Sequence, residues 1–107
     1  MDAGHPDYRP RYEGDVWQRD TAYHQGAVWP WLLTPFVEAW VRARGKTTAV
    51  IAEARRRFLQ PIATHLDEGG LGHVSEIADG DVPHRPNGCT FQAWSVGEAL
   101  RLARLLH

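Results

Sequence analysis

The chain has 107 residues, about the size of one domain, and a domain of this size can bury a modest hydrophobic core. Twelve Lys and Arg residues against thirteen Asp and Glu residues give a formal net charge of −1, which argues against nucleic-acid and membrane partners. The single cysteine, Cys89, excludes an internal disulfide, and the N-terminus does not resemble a signal peptide, so we expect a cytoplasmic protein.

The first part of the chain divides into a loop-rich segment and a helix. Residues 1–28 are rich in Gly, Pro, Asp, Arg and Tyr and show no regular spacing of apolar residues, so we predict loop or extended structure there. Residues 30–44 carry apolar side chains every three or four positions, which predicts a helix. Gly45 is suited to end that helix, because glycine readily adopts the left-handed conformation found at helix C-termini.

Two more helices are predicted in the remainder of the chain. One covers residues 48–68, where Pro61 should kink or divide it and Gly69-Gly70 should end it. The other covers residues 91–107 and is apolar around much of its circumference. No segment alternates well enough to predict a strand, so the predicted fold class is all-α, with about three helices and long loops.

The connection between the second and third predicted helices, residues 69–90, has no periodicity and contains GHVSEIADGDVPHRPNGC. Such long structureless connections are uncommon in compact domains unless they have a function, so we favour a functional loop over a flexible surface loop. Within it, Glu76 lies between the apolar residues Val74 and Ile77, which are suited to hold a carboxylate in place.

Metal binding by this loop has weak support from the sequence. Asp79 and Asp81 supply only part of a calcium-ligand ladder, and the spacing of His73 and His84 matches no established zinc pattern. We therefore predict no metal site and no cofactor.

A second conspicuous segment, DTAYHQGAVWPW, covers residues 20–31. His24 and Gln25 offer polar groups close to the aromatic rings of Trp29 and Trp31, a combination suited to a sugar, which has hydroxyl groups at its rim and C–H bonds on its faces. The alternative is that both tryptophans belong to the core, and we expect this for Trp31.

Two long motifs point to a known family. YHQGAVWPWLLTPFVEAW, followed after a helix by SEIADGDVPHRPNGCTFQAWSVGEALR, resembles the C-terminal part of the amylo-α-1,6-glucosidase domain of the glycogen debranching enzyme family. The resemblance covers nearly the whole chain. It implies part of an (α/α)6 toroid, in which six inner helices surround a sugar pocket, and an inverting glycosidase that removes the α-1,6-linked glucose at a glycogen branch point.

The resemblance also implies roles for individual residues. Glu76 matches the general base that activates the attacking water, whereas His24, Gln25, Trp29 and Trp94 match positions that line the glucose pocket. The general acid of the family belongs to an earlier segment that has no counterpart here, so we expect the chain to be inactive alone.

These implications define the partners that we expect. The main hypothesis is a fragment of the glucosidase that acts on a branched α-glucan, and the alternative is a non-catalytic carbohydrate-binding or assembly module. We expect a homo-oligomer or association with the rest of the toroid, through apolar residues of the last predicted helix: Leu100, Leu102, Leu105 and Leu106. For the same reason we expect the loop of residues 72–89 to be less ordered than the helices unless another chain covers it.

Overall fold

The computed structural model describes residues 1–68 and 70–107. This part of the chain is mostly helical, which confirms the all-α prediction, whereas the toroid stays a prediction. The α-helices are α1, Val16–Ala22; α2, Leu33–Ala43; α3, Thr48–Ala54; α4, Gln60–His65; and α5, Ala93–Leu105.

Helix α1 corrects the prediction that residues 1–28 contain only loop and extended structure. It begins after Asp15, whose carboxylate accepts a hydrogen bond from the Gln18 backbone N–H at 2.8 Å, while the Gln18 side chain accepts one from the Asp15 N–H at 2.7 Å. This reciprocal capping box satisfies two donors that would otherwise lack partners at the start of the helix. The helix therefore forms without an apolar stripe, since Val16 and Trp17 are exposed.

The hydrophobic core lies between α2, α3 and α5. A short 3₁₀ turn, Pro30–Leu32, leads into α2, and the Thr34 hydroxyl donates to the Glu98 carbonyl at 2.7 Å, which ties α2 to α5. The core consists of buried apolar residues from these three helices and from the residue that follows α5: Val37, Trp40, Val41, Ala54, Leu102 and Leu106.

The helix predicted for residues 48–68 is built from three pieces. A π-helical turn, Arg55–Leu59, joins α3 to α4, and the Gln60 N–H donates to the Arg55 carbonyl, five positions earlier. Only Gln60 separates this turn from Pro61, whose ring excludes the regular hydrogen bond of an α-helix. Residue 69, part of the predicted Gly69-Gly70 stop, lies outside the described residues.

A small sheet, which the sequence did not predict, organises the loop after α4. Strand β1, Ile77–Ala78, pairs antiparallel with β2, Pro86–Asn87, and Val28 forms a further antiparallel bridge to Ala78. The sheet fixes the loop to the segment that precedes α2.

The N-terminal segment also holds this loop. The Gly80 N–H donates to the Pro10 carbonyl at 2.8 Å, and the Arg9 N–H donates to the Gln25 carbonyl at 2.8 Å. Residues of the same chain thus contact the loop, and its order relative to the helices stays a prediction.

The apolar face of α5 differs from the prediction. Leu102 and Leu106 are fully buried in the core, Leu105 is partly buried, and only Leu100, with 62% of its surface exposed, is free to meet a partner. The expectation that all four leucines are spread around an unpartnered helix was therefore wrong, because two of them belong to the core.

Within residues 1–68 and 70–107, no helix is long and apolar enough to cross a membrane.

Candidate active site

The carboxylate of Glu76 is held at the start of the small sheet. Its neighbours Val74 and Ile77 are fully buried, which fixes the backbone on both sides and leaves the Glu76 side chain partly exposed. Oε1 accepts a hydrogen bond from the Tyr23 hydroxyl, and Oε2 accepts one from the Cys89 backbone N–H at 2.9 Å. Both oxygens are thus oriented by partners from distant parts of the sequence.

These partners affect the protonation of Glu76. Burial alone would raise its pKa, but hydrogen bonds from the Tyr23 hydroxyl, the Cys89 N–H and the Gln92 side chain favour the charged form and lower the pKa below its ordinary value. Glu76 is therefore a carboxylate at neutral pH. The same hydrogen bond, followed by burial, raises the pKa of Tyr23 to about 12, so its hydroxyl stays a donor at neutral pH.

Gly88 makes room for this carboxylate. Its φ of +71° lies in the left-handed region, and a Cβ at this position would lie 2.6 Å from Oε2 of Glu76. Glycine is thus needed at position 88 both for the backbone conformation and for the close approach of Glu76.

An open cavity of about 530 Å³ lies next to this arrangement. His24 stacks on Trp29 with ring centroids 5.1 Å apart and an angle of 6° between the planes, and the exposed ring of Trp94 forms part of the wall. We call this space the aromatic cavity, and its lining is formed by Tyr23, His24, Trp29, Trp31, Leu32 and Trp94.

Tyr23 connects the aromatic cavity with Glu76. Its ring meets Trp29 edge to face, with centroids 4.7 Å apart, and its carbonyl accepts a hydrogen bond from the Trp29 indole at 3.2 Å. Its hydroxyl reaches Glu76, which does not itself line the cavity. The sequence motifs predict no role for Tyr23, although it is adjacent to His24 in YHQGAVWPW.

The structure brings together His24, Trp29 and Trp94 of the predicted pocket, whereas Gln25 shares a cavity with His24 but not with the two tryptophans. Gln25 lines a second space of about 290 Å³, the polar cavity, whose other lining residues are Asp7, Arg9, Asp20, Thr21 and His24. Trp31, which we expected in the core, is 38% exposed and lines the aromatic cavity. Pro30 places it in the exposed 3₁₀ turn, which explains this difference.

The buried carboxylate of Asp79 has structural partners. Oδ1 accepts hydrogen bonds from the Tyr12 N–H at 3.1 Å and the Asn87 amide at 2.8 Å, and Oδ2 faces the Arg11 guanidinium at 3.7 Å. Asp79 therefore joins the N-terminal segment to the loop that carries Glu76. Among the residues that the structure describes, no group of three or more His, Cys, Asp or Glu side chains is placed to hold a metal ion.

An ionised carboxylate beside an aromatic cavity on a helical scaffold is compatible with one half of the carboxylate pair of a glycoside hydrolase site. The chain belongs to the amylo-α-1,6-glucosidase family, since the model of that family, described as Amylo-alpha-1,6-glucosidase, matches residues 1–101. This match confirms the resemblance noted from the two sequence motifs. No curated protein and no solved structure matches the chain.

Proposed function

We propose that these residues supply the general base and part of the glucose pocket of a glycogen-debranching α-1,6-glucosidase of the inverting type. Membership of the amylo-α-1,6-glucosidase family supports this proposal. The observation that carries it is the hydrogen bond from Tyr23 to Glu76, because the ring of Tyr23 also lines the aromatic cavity.

Glu76 is the proposed general base. A base must be ionised at the working pH, and the lowered pKa of Glu76 meets this requirement. The Tyr23 hydroxyl and the Cys89 N–H orient the two oxygens, and each oxygen keeps a further lone pair that can accept a proton. The base accepts a proton from this water while the water attacks the anomeric carbon from the face opposite the leaving group.

The aromatic cavity is the proposed glucose pocket. The indole rings of Trp29 and Trp94 offer apolar faces to the C–H bonds of a pyranose, and the imidazole of His24 offers a polar edge to its hydroxyl groups. Because Gln25 lines the polar cavity, it is not included in this pocket.

Inversion also requires a general acid, with its carboxyl group about 6.5–9.5 Å from that of the base. Asp79 is unsuitable, since its side chain is buried, whereas that of Glu76 is partly exposed. We propose that the acid comes from a segment of the catalytic domain other than these residues, and that this chain alone releases no glucose.

Two assays test the proposal. Glucose should quench or enhance the tryptophan fluorescence of the isolated chain with saturation, and Trp29→Ala should abolish this response. Mixed with a polypeptide that carries the other helices of an amylo-α-1,6-glucosidase domain, the chain should restore glucose release from a branched limit dextrin. Glu76→Gln should then lower the rate at least about 100-fold, the scale of a general base, without weakening glucose binding.

The alternative is a non-catalytic carbohydrate-binding module. This alternative is favoured by the aromatic cavity, because its lining residues all belong to one chain. The complementation assay separates the two functions. Restored turnover that depends on Glu76 supports the glucosidase, whereas saturable sugar binding with no turnover in any mixture supports the module. Turnover by the isolated chain would contradict the proposal that the acid lies elsewhere.

A further inference from the structure

His65, the last residue of α4, contacts the loop that carries the proposed base. Its Nε2 atom accepts a hydrogen bond from the backbone N–H of Ser75 at 3.3 Å, and Ser75 directly precedes Glu76. The His65 side chain is only 18% exposed, so it lies against the loop rather than in solvent. A side chain of α4 thus reaches the residue next to the carboxylate.

The hydrogen bonds around His65 define the tautomer of its ring. Ser75 is buried, and its hydroxyl donates to the Ile77 carbonyl at 3.0 Å, so the hydroxyl proton is not directed at Nε2. The Ser75 N–H needs an acceptor, because an unpaired backbone N–H is costly in a buried position. Nε2 is therefore unprotonated, and the ring proton is on Nδ1. Nδ1 lies 3.1 Å from Oε2 of Glu68, which accepts this hydrogen bond.

Two other hydrogen bonds hold the same stretch of backbone. The Glu76 N–H donates to the Cys89 carbonyl at 2.9 Å, and the Val74 carbonyl accepts a bond from the Gln92 N–H at 3.2 Å. Both partners belong to the segment that leads into α5. Because His65 belongs to α4, it holds this backbone from a different element.

We propose that His65 is a positioning residue for the general base: its neutral ring, oriented by Glu68, holds Ser75 and, through Ser75, the Glu76 side chain. The inference rests on the proposed function, because it concerns the base of that reaction. A shift of the Ser75 backbone would move the Cα of Glu76 and weaken the bonds that its carboxylate accepts from the Tyr23 hydroxyl and the Cys89 N–H.

The same three side chains are of the types found in a hydrolase triad, but their geometry does not fit nucleophilic catalysis. Oγ of Ser75 is 3.5 Å from Nε2 of His65, and its proton is donated to the Ile77 carbonyl. Ser75 is also only 4% exposed, whereas a nucleophile must reach its substrate. The contact to the Ser75 backbone therefore favours positioning.

The test replaces His65 by side chains that lose or keep the acceptor. His65→Leu removes it, whereas the amide oxygen in His65→Gln can still accept from the Ser75 N–H. NMR titration of the Glu76 carboxyl should show a raised pKa in His65→Leu, because weaker hydrogen bonds leave the effect of burial uncompensated, and His65→Gln should reverse much of this rise. His73→Leu is the matched control, since it removes an imidazole of the same loop that packs against Phe91.

The outcomes separate this proposal from the proposed function. If the pKa of Glu76 is the same in His65→Leu as in the unmodified chain, His65 does not position the carboxylate and the proposal is wrong. In the complementation assay, His65→Leu should lower kcat by up to about 100-fold with KM unchanged, the scale of a misplaced catalytic group. If Glu76→Gln leaves the rate unchanged, the proposed function is wrong, whereas a raised pKa of Glu76 in His65→Leu would still support its coupling to His65.

A second measurement uses the unmodified chain and does not depend on the folding of a variant. The nitrogen chemical shifts of the imidazole distinguish a protonated ring nitrogen from an unprotonated one. In the folded chain at neutral pH, Nδ1 of His65 should be protonated and Nε2 unprotonated. The opposite tautomer, or a ring that is protonated at both nitrogens, would overturn the proposal, because Nε2 could not then accept from the Ser75 N–H.

Discussion

The hydroxyl of Tyr23 donates a hydrogen bond to Oε1 of Glu76, although the two residues are 53 positions apart in the sequence. Tyr23 follows α1, and Glu76 precedes β1, so the bond forms only when the N-terminal segment and the loop after α4 fold against each other. The Val28–Ala78 bridge and the bond from the Gly80 N–H to the Pro10 carbonyl hold these segments together. The position of the carboxylate thus depends on the packing of the N-terminal segment against the loop after α4.

Removing the Tyr23 hydroxyl should raise the pKa of Glu76. Burial raises the pKa of Glu76, and the hydrogen bonds lower it. The bond from Tyr23 is the strongest of these hydrogen bonds, so its loss in Tyr23→Phe favours the neutral acid. An NMR titration of the Glu76 side-chain carboxyl measures this directly. Tyr12→Phe is the matched control, since the Tyr12 ring lies 5.7 Å from that of Tyr23. A Glu76 pKa that is the same in Tyr23→Phe as in the unmodified chain would contradict the hydrogen bond.

The same bond makes stability depend on pH in the alkaline range. Because the pKa of Tyr23 is raised from 10.0 to about 12, the folded chain keeps this proton in a range where the unfolded chain has lost it. The stabilising contribution is complete below pH 10 and is lost as the pH rises through about 12. Urea unfolding across this window should show a steeper loss of stability for the unmodified chain than for Tyr23→Phe, and equal slopes would refute the prediction.

Gly88→Ala should destabilise the chain for two reasons. The left-handed conformation is costly for alanine, and the new Cβ would lie 2.6 Å from Oε2 of Glu76. We expect a loss of about 1–3 kcal/mol in the free energy of unfolding, with a raised pKa of Glu76, because displacing the carboxylate weakens its bond to the Cys89 N–H.

Gly72→Ala separates these two effects. Gly72 also has a positive φ, +82°, but a Cβ there would meet no atom within 4 Å. Gly72→Ala should therefore lower stability without changing the pKa of Glu76. Equal effects of the two substitutions on that pKa would show that the contact with Gly88 does not position the carboxylate.

The sequence predicts the helices that bury an apolar stripe, but it does not predict the elements that lack one. Apolar residues spaced as in a helix locate α2 and α5 to within a few residues, and Gly45, with φ of +84°, follows α2 as expected. Helix α1 has no such stripe. Its only signal is the pair Asp15 and Gln18, spaced as a capping box.

The candidate site shows the same limit. Glu76, His24, Trp29 and Trp94 were predicted from motifs, but Tyr23 was not assigned and Gln25 lies in a different cavity. Strands of two residues are too short to show alternation, so the pairing that brings Glu76 to Tyr23 leaves no periodic signal. Contacts between such distant segments depend on tertiary packing rather than on local sequence.

Asp79→Ala should release the N-terminal segment from the loop. The substitution removes the acceptor for the Tyr12 N–H and the Asn87 amide and leaves Arg11 without its partner, so we expect a loss of about 3 kcal/mol in the free energy of unfolding. Amide exchange of Tyr12 should accelerate in the folded chain. In Asp81→Ala, the control, only an exposed contact to the Tyr8 hydroxyl is lost, and the change should stay below about 0.5 kcal/mol. A Tyr12 amide that remains equally protected in Asp79→Ala would contradict this role.

Substitutions of two leucines of α5, one buried and one exposed, should differ in their effect on stability. Leu102 is fully buried in the core, so Leu102→Ala should cost about 2–5 kcal/mol in the free energy of unfolding. Leu100 is 62% exposed, and Leu100→Ala should change stability by less than about 0.5 kcal/mol. Denaturant unfolding of the two variants measures this difference.

Sedimentation of the same variants tests the expected homo-oligomer. Two apolar side chains outside the proposed glucose pocket, Leu100 and Phe91, remain exposed on or beside α5. Removing one apolar side chain from a two-fold interface removes its contact at both symmetry-related positions. We therefore expect the unmodified chain to self-associate and Leu100→Ala to shift it towards the monomer without loss of helix content. If the unmodified chain sediments as a compact monomer at high concentration, this interface is ruled out. The exposed apolar residues of α5 would then be too few to hold two copies together.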